Sequence, residues 1–173
     1  MEDEEVKLNI GSGDTKIKGF LNLDKQEKYA DVVHELSVDN PLPYKDKEVT
    51  ALYSSHIIEH FWWYDTLKIL EDWCRVLKEG GTLEIWTVDF DILVYHYLNC
   101  QDKDYLKSLQ GINWRLFSKD RYEGDAHHAC FTYPLLQALL KKAGFKDVKK
   151  LNPTDYQFKP MHNGINLGVV AIK

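Results

Sequence analysis

The chain has 173 residues, 44% of them hydrophobic and 28% charged, with a net charge of −5 at pH 7. That composition fits one soluble globular domain spanning 1–173, large enough to bury a core without staples, and its acidity argues against nonspecific binding to a nucleic-acid backbone. Three cysteines, Cys74, Cys100 and Cys130, with no CxxC pair, argue against a disulfide framework or a cysteine zinc site.

Residues 1–5, MEDEE, read as a frayed acidic tail. No signal peptide opens the chain and no apolar run is long enough to span a membrane, so a reduced, cytoplasmic protein is expected. Residues 6–11, VKLNIG, alternate: Val6, Leu8 and Ile10 face one way, Lys7 and Asn9 the other, as in a strand. GSGD follows at once, then a second strand over 20–24 and a third over 30–36. A fourth occupies 49–55. Asp65 is placed to cap a helix reaching Lys78, with Leu67, Leu70, Cys74 and Leu77 on one face and Gly80 at its stop. A fifth strand lies within 80–89, with Trp86 in the core. Segments 90–98 and 103–117 read as helices. Thr132 caps another helix, carrying Leu135, Leu136, Leu139 and Leu140 and ending at Gly144. Two further strands close the chain. Strands alternating with helices in the second half predict a mostly parallel α/β sheet of about seven strands.

Within this pattern, SSHIIEHF at 54–61 contains His-x-x-Glu-His, the zinc signature of the inverted zincin proteases. That chemistry needs both histidines on one helix and a third ligand elsewhere. Here an apolar strand runs straight into His56 and no third ligand is evident, so the match reads as coincidence and no metal site is expected.

The ordered pieces LNIGSG, NLD, ADVVHELSVDNPLPYKDKEVTALYSSHIIEHF, CRVLKEGGTLEIWTVD and LLKKAGF resemble the class I S-adenosylmethionine (SAM)-dependent methyltransferases, over residues 6–148. The nearest likeness is to short methyltransferases that accompany polysaccharide biosynthesis. The resemblance implies a Rossmann-like sheet with SAM at the carboxyl ends of its strands. Asn9, Gly11, Ser12 and Gly13 would border the amino-acid part of SAM, Asp24 would accept from the ribose hydroxyls, and Glu35 and Leu36 would border the adenine. Ser54, Ser55 and His56 would line the methionine side. Two departures stand out. Asn9 replaces the usual acidic residue, and Asp14-Thr15 stands where a third glycine belongs.

The loops joining the first three strands are too short for full crossover helices, so the early helices are expected to be shortened or missing. The polar face formed by Lys7, Asn9 and Asn22 is then expected to be exposed, or masked by the 100–131 segment or by a second subunit in a homodimer.

An oxygen acceptor needs a base to take its proton. Asp89, at the end of the fifth strand, is one candidate, with an N-cap role competing. The others are His127 and His128 in EGDAHHACF, where the carboxylate of Asp125 can orient a histidine. His60 reads as shape-forming. Phe61-Trp62-Trp63-Tyr64 reads as core or lid, with a wall against a sugar or aromatic acceptor as the functional alternative. The expectation is methyl transfer from SAM to a hydroxyl of a small molecule or glycan sugar. The alternatives are N- or C-methylation of a small metabolite and a noncatalytic SAM-fold binding or assembly protein. No nucleic-acid partner is expected.

Overall fold

A computed structural model describes residues 5–99, 105–118, 124–152 and 165–173. Expectations for residues 1–4, 103–104 and Cys100 lie outside the described residues. Seven strands form one sheet: β1 (Val6–Ile10), β2 (Leu21–Asp24), β3 (Val32–Val33), β4 (Val49–Ser55), β5 (Leu77–Val88), β6 (Lys146–Lys150) and β7 (Asn166–Ile172). Their order is β3-β2-β1-β4-β5-β7-β6. The first five pair in parallel, and β7 runs antiparallel between β5 and β6. Among the described residues the α-helices are α1 (Thr66–Val76), α2 (Phe90–Leu98), α3 (Tyr105–Phe117) and α4 (Tyr133–Lys142).

The two faces of the sheet are covered differently. Leu8, Ile10, Leu23, Leu52, Leu83, Ile85, Val169 and Ala171 point to one side. There they meet Ile69, Leu70, Trp73 and Val76 of α1 and Leu136 and Leu140 of α4, all buried in one cluster. The register that carries Ile10 to this side carries Asn9 and its β2 partner Asn22 to the other. On that second side the cluster is small: Ile17, Tyr53 and Trp86, flanked by Phe20 and Leu151.

This corrects the expectation of an exposed polar face. Asn9 is 2% exposed. The 11–20 loop folds over it, and its Nδ2 donates to the Thr15 carbonyl at 2.9 Å and to Asn22 Oδ1 at 3.0 Å. Asn22 in turn donates from Nδ2 and from its backbone N–H to Asp31 Oδ2. A ladder of side-chain hydrogen bonds, roofed by a loop, does the covering that a crossover helix would otherwise do. No helix of the described residues occurs between β1 and β4.

Three boundaries also differ from expectation. The third strand shrinks to Val32 and Val33, flanked by backbone bonds from Asp31 to the Asn22 carbonyl and from His34 to the Asp24 carbonyl, and the chain then turns on Ser37–Asn40. Helix α1 stops at Val76, two residues early, because Leu77 is extended (φ −68°, ψ 141°) and pairs with Val49. Asp65 adopts an αR backbone and makes no side-chain cap bond; the Trp62 carbonyl accepts from the backbone N–H groups of Asp65 and Thr66 instead. By contrast Thr132 caps α4, its Oγ1 accepting from the Leu135 N–H.

Candidate active site at the carboxyl ends of the strands

The turn after β1 is built on two left-handed glycines, Gly11 (φ 62°) and Gly13 (φ 50°). A left-handed backbone costs a non-glycine residue about 1–2 kcal/mol. At Gly11 the cost would be larger, since an added Cβ would overlap the Ile57 side chain; at Gly13 it would point into open space. The turn is hooked to β2 by hydrogen bonds from the Gly11 and Ser12 N–H groups to the Leu23 carbonyl. Asp24 completes it, Oδ2 accepting from the Gly13 N–H at 2.9 Å and Oδ1 from the Gln26 N–H at 2.8 Å. Each carboxylate oxygen keeps a second lone pair. Ser12 Oγ reaches the Tyr29 carbonyl at 3.4 Å.

Around this turn the other expected cofactor residues fall at strand ends, with one shift. Glu35 and Leu36 lie past β3 rather than in it. Leu36 packs on the core, and Glu35 is exposed and 3.7 Å from Lys25. Ser54 and Ser55 end β4, and buried Ser54 Oγ has no hydrogen-bond partner among the described residues. His56 follows with a left-handed backbone (φ 57°), fixed by its N–H to the Trp86 carbonyl at 2.8 Å.

The His-x-x-Glu-His stretch does not form the helix a zincin requires: His56 lies past the end of β4 and Ile58–His60 is a single 3₁₀ turn. Instead it builds a buried ion pair. His56 Nδ1 lies 2.9 Å from Glu59 Oε1, with Glu59 1% exposed. Burial alone would discharge both groups. It pushes His56 down, but the hydrogen bond and charge of Glu59 outweigh it and raise His56 above its ordinary value. Burial pushes Glu59 up, yet the hydrogen bond and charge of His56, helped by His60, bring it down to about 2.

Glu59 also joins this turn to the histidine loop. Its carbonyl accepts from the N–H groups of His128 (2.8 Å) and Ala129 (3.2 Å). His60 Nδ1 donates to the Ala126 carbonyl at 3.1 Å, and its ring meets that of His127 edge-on at 4.8 Å. Burial lowers the His60 pKa, which favours its neutral form. His127 Nδ1 donates to the Arg115 carbonyl at 2.9 Å. A carbonyl only accepts, so in a neutral ring of His60 or His127 the lone pair sits on Nε2. His128 stacks on Trp62 at 3.9 Å, and Trp62 on Tyr64 at 5.7 Å. Phe61 packs against the core, whereas Trp62, Trp63 and Tyr64 are exposed.

Between these loops and the end of β5 lies a narrow cleft of about 10 Å³, lined by Glu59, Thr87, Phe90, Arg115, His127 and Cys130 among others. Asp89 lies beside it, but both oxygens are engaged: Oδ1 accepts from the Asp91 N–H as N-cap of α2, and Oδ2 accepts from Lys150 Nζ at 3.0 Å. Asp125 accepts from Ser118 Oγ at 2.8 Å. The structure therefore gathers two groups at one end of the sheet, the glycine turn with Asp24 and the histidine cleft. Glu59, Thr87 and Arg115 were not expected as site residues. The signal for Glu59 was a lone carboxylate between histidines just past a strand. For Thr87 it was a hydroxyl in phase with Leu83 and Ile85.

Residues 17–85 match the family described as a methyltransferase domain. No curated protein matches the sequence. Solved structures do match. A SAM-dependent methyltransferase from Thermotoga maritima is 21% identical, with a TM-score of 0.58 over 98% of this chain and 83% of that one. A SAM-dependent methyltransferase from Mesorhizobium loti is 16% identical, with a TM-score of 0.61 over 100% and 94%. Human N-acetylserotonin methyltransferase in complex with SAM is 16% identical, with a TM-score of 0.58 over 97% and 47%.

At these identities the likeness is one of fold. Together the matches give the Rossmann-like fold found in SAM-dependent methyltransferases, with a methyltransferase domain matched over residues 17–85. SAM is the cofactor expected of it, and the residues present fit that group: Gly13 leaves open space beside the turn, and Asp24 is held with lone pairs to spare.

Proposed function

We propose that this chain transfers a methyl group from SAM to a hydroxyl of a small molecule or glycan sugar. The observation that carries the reading is the tautomer of His127. Its Nδ1–H is committed to the Arg115 carbonyl, which leaves Nε2 as a base in the neutral ring, on a residue lining the cleft at the end of β5. An oxygen acceptor requires such a base. When bound, SAM supplies a methyl carbon already activated by its sulfonium.

Gly11, Ser12 and Gly13 shape the wall for the amino-acid part of the cofactor, on a loop that buried Asn9 braces from beneath. Asp24 accepts from the ribose hydroxyls, Leu36 flanks the adenine, and Ser54, Ser55 and His56 flank the methionine side. The cleft aligns the acceptor and keeps water away from it. With SAM bound to supply the methyl group, His127 Nε2 would take the proton of the acceptor hydroxyl. Neutral His60 packs edge-on against that ring. His128, stacked on Trp62, serves as part of the acceptor wall, and Asp89 holds α2 in place. The free thiols of Cys74 and Cys130 fit a reducing, cytoplasmic setting.

The test is titration with SAM and S-adenosylhomocysteine, followed by transfer of labelled methyl to nucleotide sugars and glycans. His127→Ala is expected to leave SAM affinity intact and to lower turnover by about 100-fold or more, the usual contribution of a general base. Lost SAM binding would remove His127 from the acceptor side. Tight SAM binding with no transfer to any acceptor would favour a noncatalytic role.

A further inference from the structure

Two buried amides meet beneath the glycine turn. Asn9 is 2% and Asn22 5% exposed, and their side chains form one continuous chain of hydrogen bonds that runs in a single direction. Both ends of that chain can only accept. At one end Asp31 Oδ2 takes the Asn22 backbone N–H at 2.8 Å and Asn22 Nδ2 at 2.6 Å. Those two bonds hold the Asp31 carboxyl below its ordinary range, so it stays ionised and without a donor of its own. At the other end the Thr15 carbonyl accepts from Asn9 Nδ2 at 2.9 Å. An amide donates only from nitrogen and accepts only on oxygen. With Asn22 Nδ2 turned to Asp31, Asn22 Oδ1 faces Asn9, and Asn9 Nδ2 meets it at 3.0 Å. One amide nitrogen therefore serves two acceptor oxygens with its two hydrogens.

We propose that Asn9, Asn22 and Asp31 form a directional relay that positions the glycine turn for the cofactor, anchored at Asp31, and that an acidic residue at position 9 weakens cofactor binding rather than strengthening it. The assignment rests on the SAM reading given above and deepens it: Asn9 is a positioning residue and not a cofactor contact. The near end of the turn is held by the Gly11 and Ser12 N–H groups on the Leu23 carbonyl and by the Gly13 N–H on Asp24. Its far end closes with the Thr15 N–H on the Ser12 carbonyl, and the bond from Asn9 ties that end to the sheet. A carboxylate at position 9 keeps the shape but has no N–H. It would set a third acceptor against the Thr15 carbonyl and Asn22 Oδ1 and bury a charge between them. Asn22 could turn its amide to meet it, yet the Asn22 oxygen would then face the Asp31 carboxylate. The conflict moves along the relay and is not removed, which accounts for an amide at position 9 where the resemblance leads one to expect an acid.

The experiment uses the intact chain and measures S-adenosylhomocysteine affinity by calorimetry beside amide hydrogen exchange in residues 11–15. Asn9→Asp is expected to weaken S-adenosylhomocysteine by about tenfold or more, the equivalent of one buried hydrogen bond lost. Asp31→Ala lies at the exposed end of the relay and answers the question should Asn9→Asp fail to fold. It is expected to weaken the ligand by about threefold to tenfold and to speed exchange at Ser12, Gly13 and Thr15. Rescue is the readout that a merely structural role would not move. Adding Asp31→Asn to Asn9→Asp lets the relay run backwards: the new amide donates to Asn22 Oδ1, and Asn22 Nδ2 donates to the new carboxylate. Adding Asp31→Ala instead relieves the charge but supplies no donor. The first double variant should bind at least about threefold more tightly than the second. Binding by Asn9→Asp as tight as the native chain's would overturn the proposal. So would equal affinity in the two double variants, or unchanged exchange in Asp31→Ala. Failure of the native chain to bind S-adenosylhomocysteine would bring down the cofactor reading, and with it the relay's part in cofactor binding, even where Asp31→Ala still speeds exchange.

Discussion

Gly11 and Gly13 share a left-handed backbone but separate two jobs that a sequence motif merges. A side chain at Gly11 collides with Ile57, inside the protein, whereas one at Gly13 enters open space where the cofactor is proposed to lie. Gly11→Ala is therefore expected to lower Tm strongly. Gly13→Ala should cost only the left-handed strain of about 1–2 kcal/mol, while abolishing tight SAM binding. Thermal melts beside SAM titrations would check this, and equal effects at the two positions would count against it. The His56–Glu59 pair makes a pH-dependent prediction at the same scale. His56 is raised above its ordinary 6.5, so its contribution is full below 6.5 and is lost as pH rises through the raised value. Glu59 is lowered from 4.5 to about 2, so its contribution is full above 4.5 and is lost as pH falls toward 2. The pair therefore stabilises most between those two ordinary values. The Tm difference between the native chain and Glu59→Gln should peak in that window and shrink on either side. A difference independent of pH would mean that the pair is not charged.

At the scale of elements, helix α2 depends on Asp89. The same carboxylate caps the helix and pairs with Lys150 from β6, so it ties the floor of the cleft to the sheet edge. Asp89→Ala should cost about 1 kcal/mol for the cap, or a Tm drop of about 2–4 °C, with SAM affinity unchanged. A collapse of turnover with no loss of stability would restore Asp89 as the base. The elements that the sequence announced most clearly were those with unbroken periodicity and local signals. β4 and α4 appear where hydrophobic spacing and Thr132 put them. Where a boundary was set by a partner distant in sequence, the reading drifted. Leu77 left the helix to pair with Val49, and β3 pairs with β2 only through Val32 and Val33.

Over the whole molecule, the asymmetry of the sheet is its distinguishing feature. One face carries α1 and α4. The other relies on the 11–20 loop, the Asn9–Asn22–Asp31 ladder and the small Ile17, Tyr53 and Trp86 cluster. Because the same loop both roofs that face and carries the glycine turn, cofactor binding and stability are coupled. Saturation with S-adenosylhomocysteine at about 100 times its Kd should stabilise the native state by about 2.7 kcal/mol, read as a rise in Tm and as slower hydrogen exchange in residues 11–20. A Tm rise without protection of that loop would place the ligand elsewhere. Among the described residues no helix is long and apolar enough to cross a membrane.

The sequence by itself determined the strand series, the glycine turn ending at Asp24 and the loss of the early helices, because each is written in spacing along the chain. It also pointed to a SAM-dependent methyltransferase through the order of those pieces. Only the tertiary structure decided that Asn9 is a buried rung rather than an exposed polar residue, and that Asp89 is occupied as a cap and ion-pair partner. It also turned a protease-like His-x-x-Glu-His into a charged His56–Glu59 pair behind a cleft. Those outcomes depend on which side chains meet across the sheet. Burial and the pairing of charge are set by neighbours far away in sequence, which no local pattern encodes.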